Sequence, residues 1–232
     1  MSAEAVNGVN ERRVCAYGGT FDPVHNGHLE IARAISANFG LEQLLLVPAY
    51  RPPHKDPRSI SDAHHRYAMT VLATLDQERI SVSTLEIDAP EKPYSFETVE
   101  RLKRLYPTEV RLFFVVGADA FEEIATWREP ARLLDGTNVV VAARPGYDIP
   151  TGHLPVEFRS NIVDLRERAG DVAGALEANK HRTAIYFTSY VQSGLSSTEI
   201  RRRIRDGESV EEMISASVAR YIEKYELYRA VN

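Results

Sequence analysis

The chain has 232 residues, 44% of them hydrophobic, which is enough for a real core and excludes a peptide, a repeat array or a disordered tail. Its 28 basic and 33 acidic residues give a formal charge of −5, and the cations are spread along the chain, so an extended nucleic-acid groove is not expected and any anion site must be local. A single cysteine, Cys15, allows no intrachain disulfide, and no apolar run is long enough to span a bilayer; the expectation is a soluble protein of the cytoplasm.

Residues 1–12, MSAEAVNGVNER, resemble neither a signal peptide nor a transit segment and read as a flexible tail. A first strand-length run, Val14 to Tyr17, leads through GGTFDPVHNGH into a helical pattern carried by Leu29, Ala32 and Ile35. Further strand-like runs follow at Leu44 to Val47, Ile80 to Ile87, Val110 to Val116, Val139 to Ala143 and Ala184 to Phe187. Between them, Phe96, Val99, Leu102 and Leu105 share one helix face, and Ile124 through Leu134 reads as another amphipathic stretch. Residues 147–182 lose clear periodicity, as an insertion or extra helix would, whereas SVEEMISASVARYIEKYELYR reads as a closing helix with Val218, Tyr221, Ile222 and Tyr225 on its core stripe.

Strand alternating with helix predicts an α/β fold: one domain over 13–232, built as a doubly wound parallel sheet with helices on both faces. Ligands of such sheets bind beyond the carboxyl ends of the strands, and the sequence places its unusual residues at those turns: GGTFDPVHNGH, VPAYRPPHK, VVGADA and AARPGY.

Gly18 and Gly19 allow a sharp turn and close approach to a ligand, and the helix that follows, expected to begin near His28, offers free N–H groups suited to phosphate. His25 and His28 add donors there; the plainer alternative is a turn whose histidines satisfy only local backbone. In LSSTEIRRRI, Ser196 and Glu199 have capping-box spacing, which puts Ser197 and Thr198 in a first helical turn and Arg201 one turn in, able to fork onto phosphate oxygens. An ordinary N-cap would look the same, but two helix starts that both carry phosphate donors suggest a polyphosphate held between them. His54, His64 and His65 do not make a metal cluster, because adjacent helix positions diverge.

GGTFDPVHNGH together with SSTEIR resembles the HxGH nucleotidyltransferase superfamily, with its Rossmann-like fold. RPPHK, PYSFETV, GADAFEEIATW, ARPGY and the closing SVARYIEKYELY are similar to the pattern of its bacterial nicotinate-nucleotide adenylyltransferases. The resemblance covers most of residues 13 to 146 and 184 to 229. It implies transfer of AMP from ATP to nicotinic acid mononucleotide, giving deamido-NAD and pyrophosphate. His25, His28, Ser197, Thr198 and Arg201 would hold the ATP phosphates, and Gly18, Gly19 and Thr20 would floor the nucleotide site. Gly117 and Asp119 would contact ribose or adenosine, with a helix cap as the other role open to Asp119, and Arg144 would face the nucleotide. On the acceptor side, Lys55 would supply a point charge for phosphate, Trp127 would stack on the pyridine ring with Tyr94 as a second aromatic wall, and N–H groups around Ser95 would meet the ring carboxylate.

A phosphate monoester, with a second pKa of about 6, is already a strong anion at neutral pH. The nucleophile therefore needs no general base, which suits a sequence whose special residues are donors and cations. Mg2+ is expected on ATP phosphates and water rather than in a protein cage. Other readings are an adenylyltransferase acting on phosphopantetheine, nicotinamide mononucleotide or another phosphate acceptor, and a non-catalytic nucleotide-binding regulator; a dinucleotide-dependent oxidoreductase lacks its GxGxxG turn here. Homo-oligomer formation is left open.

Overall fold

The computed structural model describes residues 11–52, 56, 59–89, 91, 94–167 and 171–229; Lys55 and His54 therefore lie outside the described residues. Seven strands form one sheet in the order β3-β2-β1-β4-β5-β7-β6, comprising β1 (Arg13–Gly19), β2 (Gln43–Pro48), β3 (Ile80–Val82), β4 (Arg111–Gly117), β5 (Asn138–Ala142), β6 (Ile162–Asp164) and β7 (Ile185–Thr188). Every pairing is parallel. The order runs outward from β1 to β3, then returns to place β4 against the other side of β1. The sheet thus has its switch point between β1 and β4, where a crevice must open beyond the strand ends.

Alternating side chains on the central strands feed two cores, which is why those runs are apolar throughout. Cys15, Tyr17, Phe113 and Val115 face α1 (Asn26–Asn38), α2 (Ala63–Thr74) and α9 (Ala216–Lys224) through Leu29, Ile35, Met69, Val218 and Ile222. Val14, Ala16, Phe114 and Val116 face α3 (Ser95–Leu105), α4 (Ala118–Glu122) and α5 (Pro130–Gly136) through Phe96, Val99, Leu102, Phe121 and Leu133. Cys15 is part of the core, and burial pushes its thiol up.

Four expectations need correction. The stretch Ile80 to Ile87 forms a strand only to Val82; Ser83 Oγ then accepts the Leu85 N–H at 3.2 Å and Thr84 Oγ1 donates to Asp88 Oδ2 at 2.6 Å, a turn that redirects Glu86 inward. Residues 124–134 are not one helix: a 3-10 turn at Ile124–Thr126 ends at Trp127, and Glu129, at φ +52, separates it from α5. The closing helix is shorter than its stripe suggests, with Ser215 as its N-cap and Tyr225 47% exposed instead of in the core. Residues 147–182 supply more than a helix: α6 (Val156–Arg159), edge strand β6 and α7 (Val172–Ala178), with Leu154, Phe158, Leu165 and Leu176 buried.

Candidate active site

The turn after β1 shows why its glycines are needed. A Cβ on Gly19 would stand 2.7 Å from Cζ of Phe21, and one on Gly18 would stand 3.2 Å from Cζ of Phe114. Phe21 itself takes φ +50, a strained conformation for a bulky residue that its burial holds in place. Its ring packs edge-on against His28, with centroids 5.0 Å apart.

The helix begins two residues earlier than expected: His25 is the N-cap and α1 starts at Asn26, which puts His28 at the third helical position. The His25 N–H donates to His28 Nδ1 at 3.2 Å, so a neutral His28 keeps its proton on Nε2. The two rings stack with centroids 3.7 Å apart. His25 is buried, which lowers its pKa to about 4, and its Nδ1 has no hydrogen-bond partner. At neutral pH His25 is thus an uncharged ring, set against the His28 N–H in a capping-box arrangement that falls short of a regular hydrogen bond.

The second helix start lies against this one. Ser196 caps α8 (Ser197–Arg205), its hydroxyl accepting the Glu199 N–H at 3.2 Å, as the spacing predicts. Ser197 Oγ donates to Pro23 O at 3.0 Å, and Arg201 donates to Asp22 O at 2.8 Å and to Thr198 Oγ1 at 3.4 Å. The first-turn side chains of α8 are therefore tied to the HxGH loop. Buried Asp22 joins the knot from beneath, accepting from Tyr228 at 2.7 Å and from the Ser61 N–H at 3.2 Å.

Beside this cluster, over the β1/β4 switch point, lies a cavity of about 460 Å³. Gly18, Gly19, Thr20 and Gly117 line it from the strand ends, and Tyr94, Ser95 and Trp127 from the opposite wall. Trp127 is half-buried, and the Arg128 guanidinium lies 5.3 Å over the Tyr94 ring. Tyr94 is the N-cap of α3 and Ser95 its first residue; the Tyr94 carbonyl takes the N–H groups of Glu97 at 3.0 Å and Thr98 at 3.1 Å. The N–H groups of Ser95 and Phe96 have no acceptor among the described residues.

Two expected residues stand apart. Asp119 is exposed on the first turn of α4 and does not cap it, since Gly117 holds the N-cap; Arg144 is exposed just past β5. Neither side chain makes a hydrogen bond or ion pair with the described residues. His64 and His65 diverge as expected, one ring reaching Asp62 at 2.9 Å and the other the Tyr221 hydroxyl at 3.0 Å.

Sequence reasoning missed the residue that fastens these loops together. Arg66, 1% exposed, donates to Thr20 O at 2.7 Å, Ser61 O at 2.9 Å and Tyr50 O at 3.1 Å, joining the loops after β1 and β2. Within AHHRYAMT it reads as an ordinary solvated cation; only its place on the helix face shared with Met69 and Thr70 hints at burial. Glu86, another buried cavity residue, was hidden inside a presumed strand.

A parallel sheet with a glycine turn, an HxGH helix start and a second helix start tied to it defines a nucleotidyltransferase. The cytidylyltransferase-like family model matches residues 16–203. The chain is 38% identical over 219 residues to a protein of Thermoanaerobacter sp. named "Probable nicotinate-nucleotide adenylyltransferase", covering 94% of this chain and 95% of that one. It is 39% identical over 217 residues to a protein of the same name from Thermus thermophilus, covering 94% of this chain and all of the relative. Among solved structures, the Plasmodium falciparum nicotinic acid mononucleotide adenylyltransferase complexed with NaAD superposes with a TM-score of 0.69 at 20% identity, over 94% of this chain and 97% of that one, a likeness of fold. The chain belongs to the nicotinate-nucleotide adenylyltransferase family.

Proposed function

We propose that the protein transfers the AMP moiety of ATP to the phosphate of nicotinic acid mononucleotide, forming deamido-NAD and releasing pyrophosphate. The observation that carries this reading is the adjacency of two half-sites: a donor-rich cluster at the starts of α1 and α8, and an aromatic cavity lined by Ser95 and Phe96, whose N–H groups have no acceptor among the described residues. The first suits a triphosphate, the second a flat ring bearing an anion.

In this reading, His25, His28, Ser197, Thr198 and Arg201 hold the phosphates of ATP, while Gly18, Gly19, Thr20 and Gly117 let the nucleotide lie close to the strand ends. Asp119 and Arg144 approach the adenosine from the exposed rim. Trp127 and Tyr94 hold the pyridine ring, Lys55 approaches the acceptor phosphate, and the Ser95 and Phe96 N–H groups receive the ring carboxylate. The acceptor phosphate attacks the α-phosphorus, a P–O bond to it forms, and the bond to the leaving pyrophosphate breaks. The protein's share is alignment and stabilisation of charge on the phosphate oxygens. Mg2+, when bound, would neutralise the triphosphate, held mainly by phosphate oxygens and water. A buried, reduced Cys15 suits an enzyme of the cytoplasm.

Pyrophosphate release from ATP with nicotinic acid or nicotinamide mononucleotide tests the proposal. The acid should give a kcat/KM at least tenfold higher, about 1.4 kcal/mol, because an anion at the helix start accepts N–H bonds that an amide meets with its own donors. Preference for the amide would refute the acceptor, and no release with either would refute the reaction.

A further inference from the structure

One buried carboxyl in the cavity has no part in the chemistry above. Glu86 is 5% exposed and lines the same cavity as Tyr94, Ser95 and Trp127. Its Oε1 accepts the hydroxyl of fully buried Thr98 at 2.8 Å, and Thr98 lies three residues past Ser95 on α3. Among the described residues, the charges facing it are arginines. Arg101, on α3, donates to Leu85 O at 2.8 Å and to Thr98 Oγ1 at 3.4 Å. Arg66, on α2, spends its donors on three carbonyls, and Arg128 covers Tyr94 on the cavity wall. Arg101 and Arg66 favour the carboxylate and burial opposes it; burial wins, and the carboxyl is pushed up to about 7.

We infer that Glu86 determines the acid-over-amide preference of the pyridine subsite: as a neutral carboxyl it donates a hydrogen bond toward the ring carboxylate, and as a carboxylate it repels that group and accepts from a ring amide. The inference rests on the proposed acceptor. It follows from an ionisable group that lines the same cavity as Ser95 and Phe96 and is held by Thr98, one helical turn past Ser95. A buried negative charge there works against the acid and for the amide, so specificity is set by repulsion as well as attraction.

The test measures kcat/KM for nicotinic acid and nicotinamide mononucleotides from pH 6 to 8.5 under fixed ATP and Mg2+. Both acceptors carry the same phosphate, so its ionisation, and that of ATP and the histidines, cancels in the ratio. The acid-to-amide ratio should fall at least tenfold in the wild-type protein and stay within about twofold in Glu86→Gln, which keeps the size and an acceptor for Thr98. Titration calorimetry of the wild-type protein, in two pH 8 buffers of different ionisation heat, should show proton uptake with the acid and none with the amide. A flat wild-type ratio, an equal fall in Glu86→Gln, or no proton uptake overturns the inference while leaving the acceptor intact. Failure to turn over either mononucleotide overturns the acceptor reading first.

Discussion

Two buried ionisable groups of the site, His25 and Glu86, should pull stability in opposite directions with pH. Burial holds the His25 pKa at about 4 instead of 6.5, so between those values the unfolded chain binds more protons than the folded one, and stability is lost as pH falls through that window. Glu86 is raised from 4.5 to about 7, so there the folded state binds more protons, and stability is lost as pH rises. At about 1.36 kcal/mol per pH unit, each effect amounts to roughly 3 kcal/mol. Over their shared window, from about pH 4.5 to 6.5, they nearly cancel. Urea unfolding across pH 4 to 8 should therefore show little slope from this pair in the wild type. Glu86→Gln should gain up to about 3 kcal/mol over wild type as pH rises from 4.5 to 7, and His25→Asn should gain on it as pH falls from 6.5 to 4. Surface carboxylates cancel when each variant is subtracted from wild type. Differences that do not change with pH would refute the assignment of either group as buried and uncompensated.

Substitutions at three positions probe the phosphate side. His28→Ala should cost about 1 kcal/mol of stability, the worth of one helix-start hydrogen bond, against a kcat loss of about 2.7 to 4 kcal/mol; His28→Gln, which restores an acceptor for the His25 N–H, should recover the melting temperature and not the rate. Arg201→Lys keeps the charge but loses the planar fork now braced on Asp22 O and Thr198, so ATP affinity or kcat should still fall; kinetics equal to wild type would refute bidentate recognition. Gly19→Ala drives a methyl into the Phe21 ring and should destabilise by about 1 to 3 kcal/mol with loss of activity, since Phe21 packs on His28; thermal melting and turnover together check it.

The central strands were legible because both of their faces are buried: Val14 to Tyr17 and Val110 to Val116 are apolar runs for that reason, and glycine turns mark their ends. The α8 start was legible to the residue, since a Ser cap is a local signal. Where local signals fail, so did the reading. Periodicity carries 124–134 as one helix because it cannot register Glu129 in the left-handed region, and β6, three residues long, is too short to announce itself. Arg66 and Glu86 were lost for the same physical reason: a charged residue in a sequence is assigned to solvent unless its partners are known, and theirs are carbonyls and a hydroxyl from distant segments.

Buried polar groups lie at both ends of the sheet. At the amino end, Arg111 is buried with its guanidinium answered by protein: Leu176 O at 2.8 Å, Asn179 O at 3.1 Å, the Tyr186 hydroxyl at 2.9 Å and the Phe113 ring. Its role is structural, although the nearby buried Thr137 hydroxyl has no hydrogen-bond partner among the described residues. At the carboxyl end, Arg66 and Asp22 are equally well answered, but they hold the backbone of the loops that carry less satisfied groups. His25 Nδ1 has no partner, Glu86 has Thr98 as its hydrogen-bond donor among the described residues, and the Ser95 and Phe96 N–H groups have no acceptor among them. An unsatisfied buried group costs about 1 to 3 kcal/mol, so the His25 ring atom at the helix start is a sustained cost. In the proposed reading a ligand answers it, with phosphates at the helix starts and a ring anion at the Ser95 and Phe96 N–H groups.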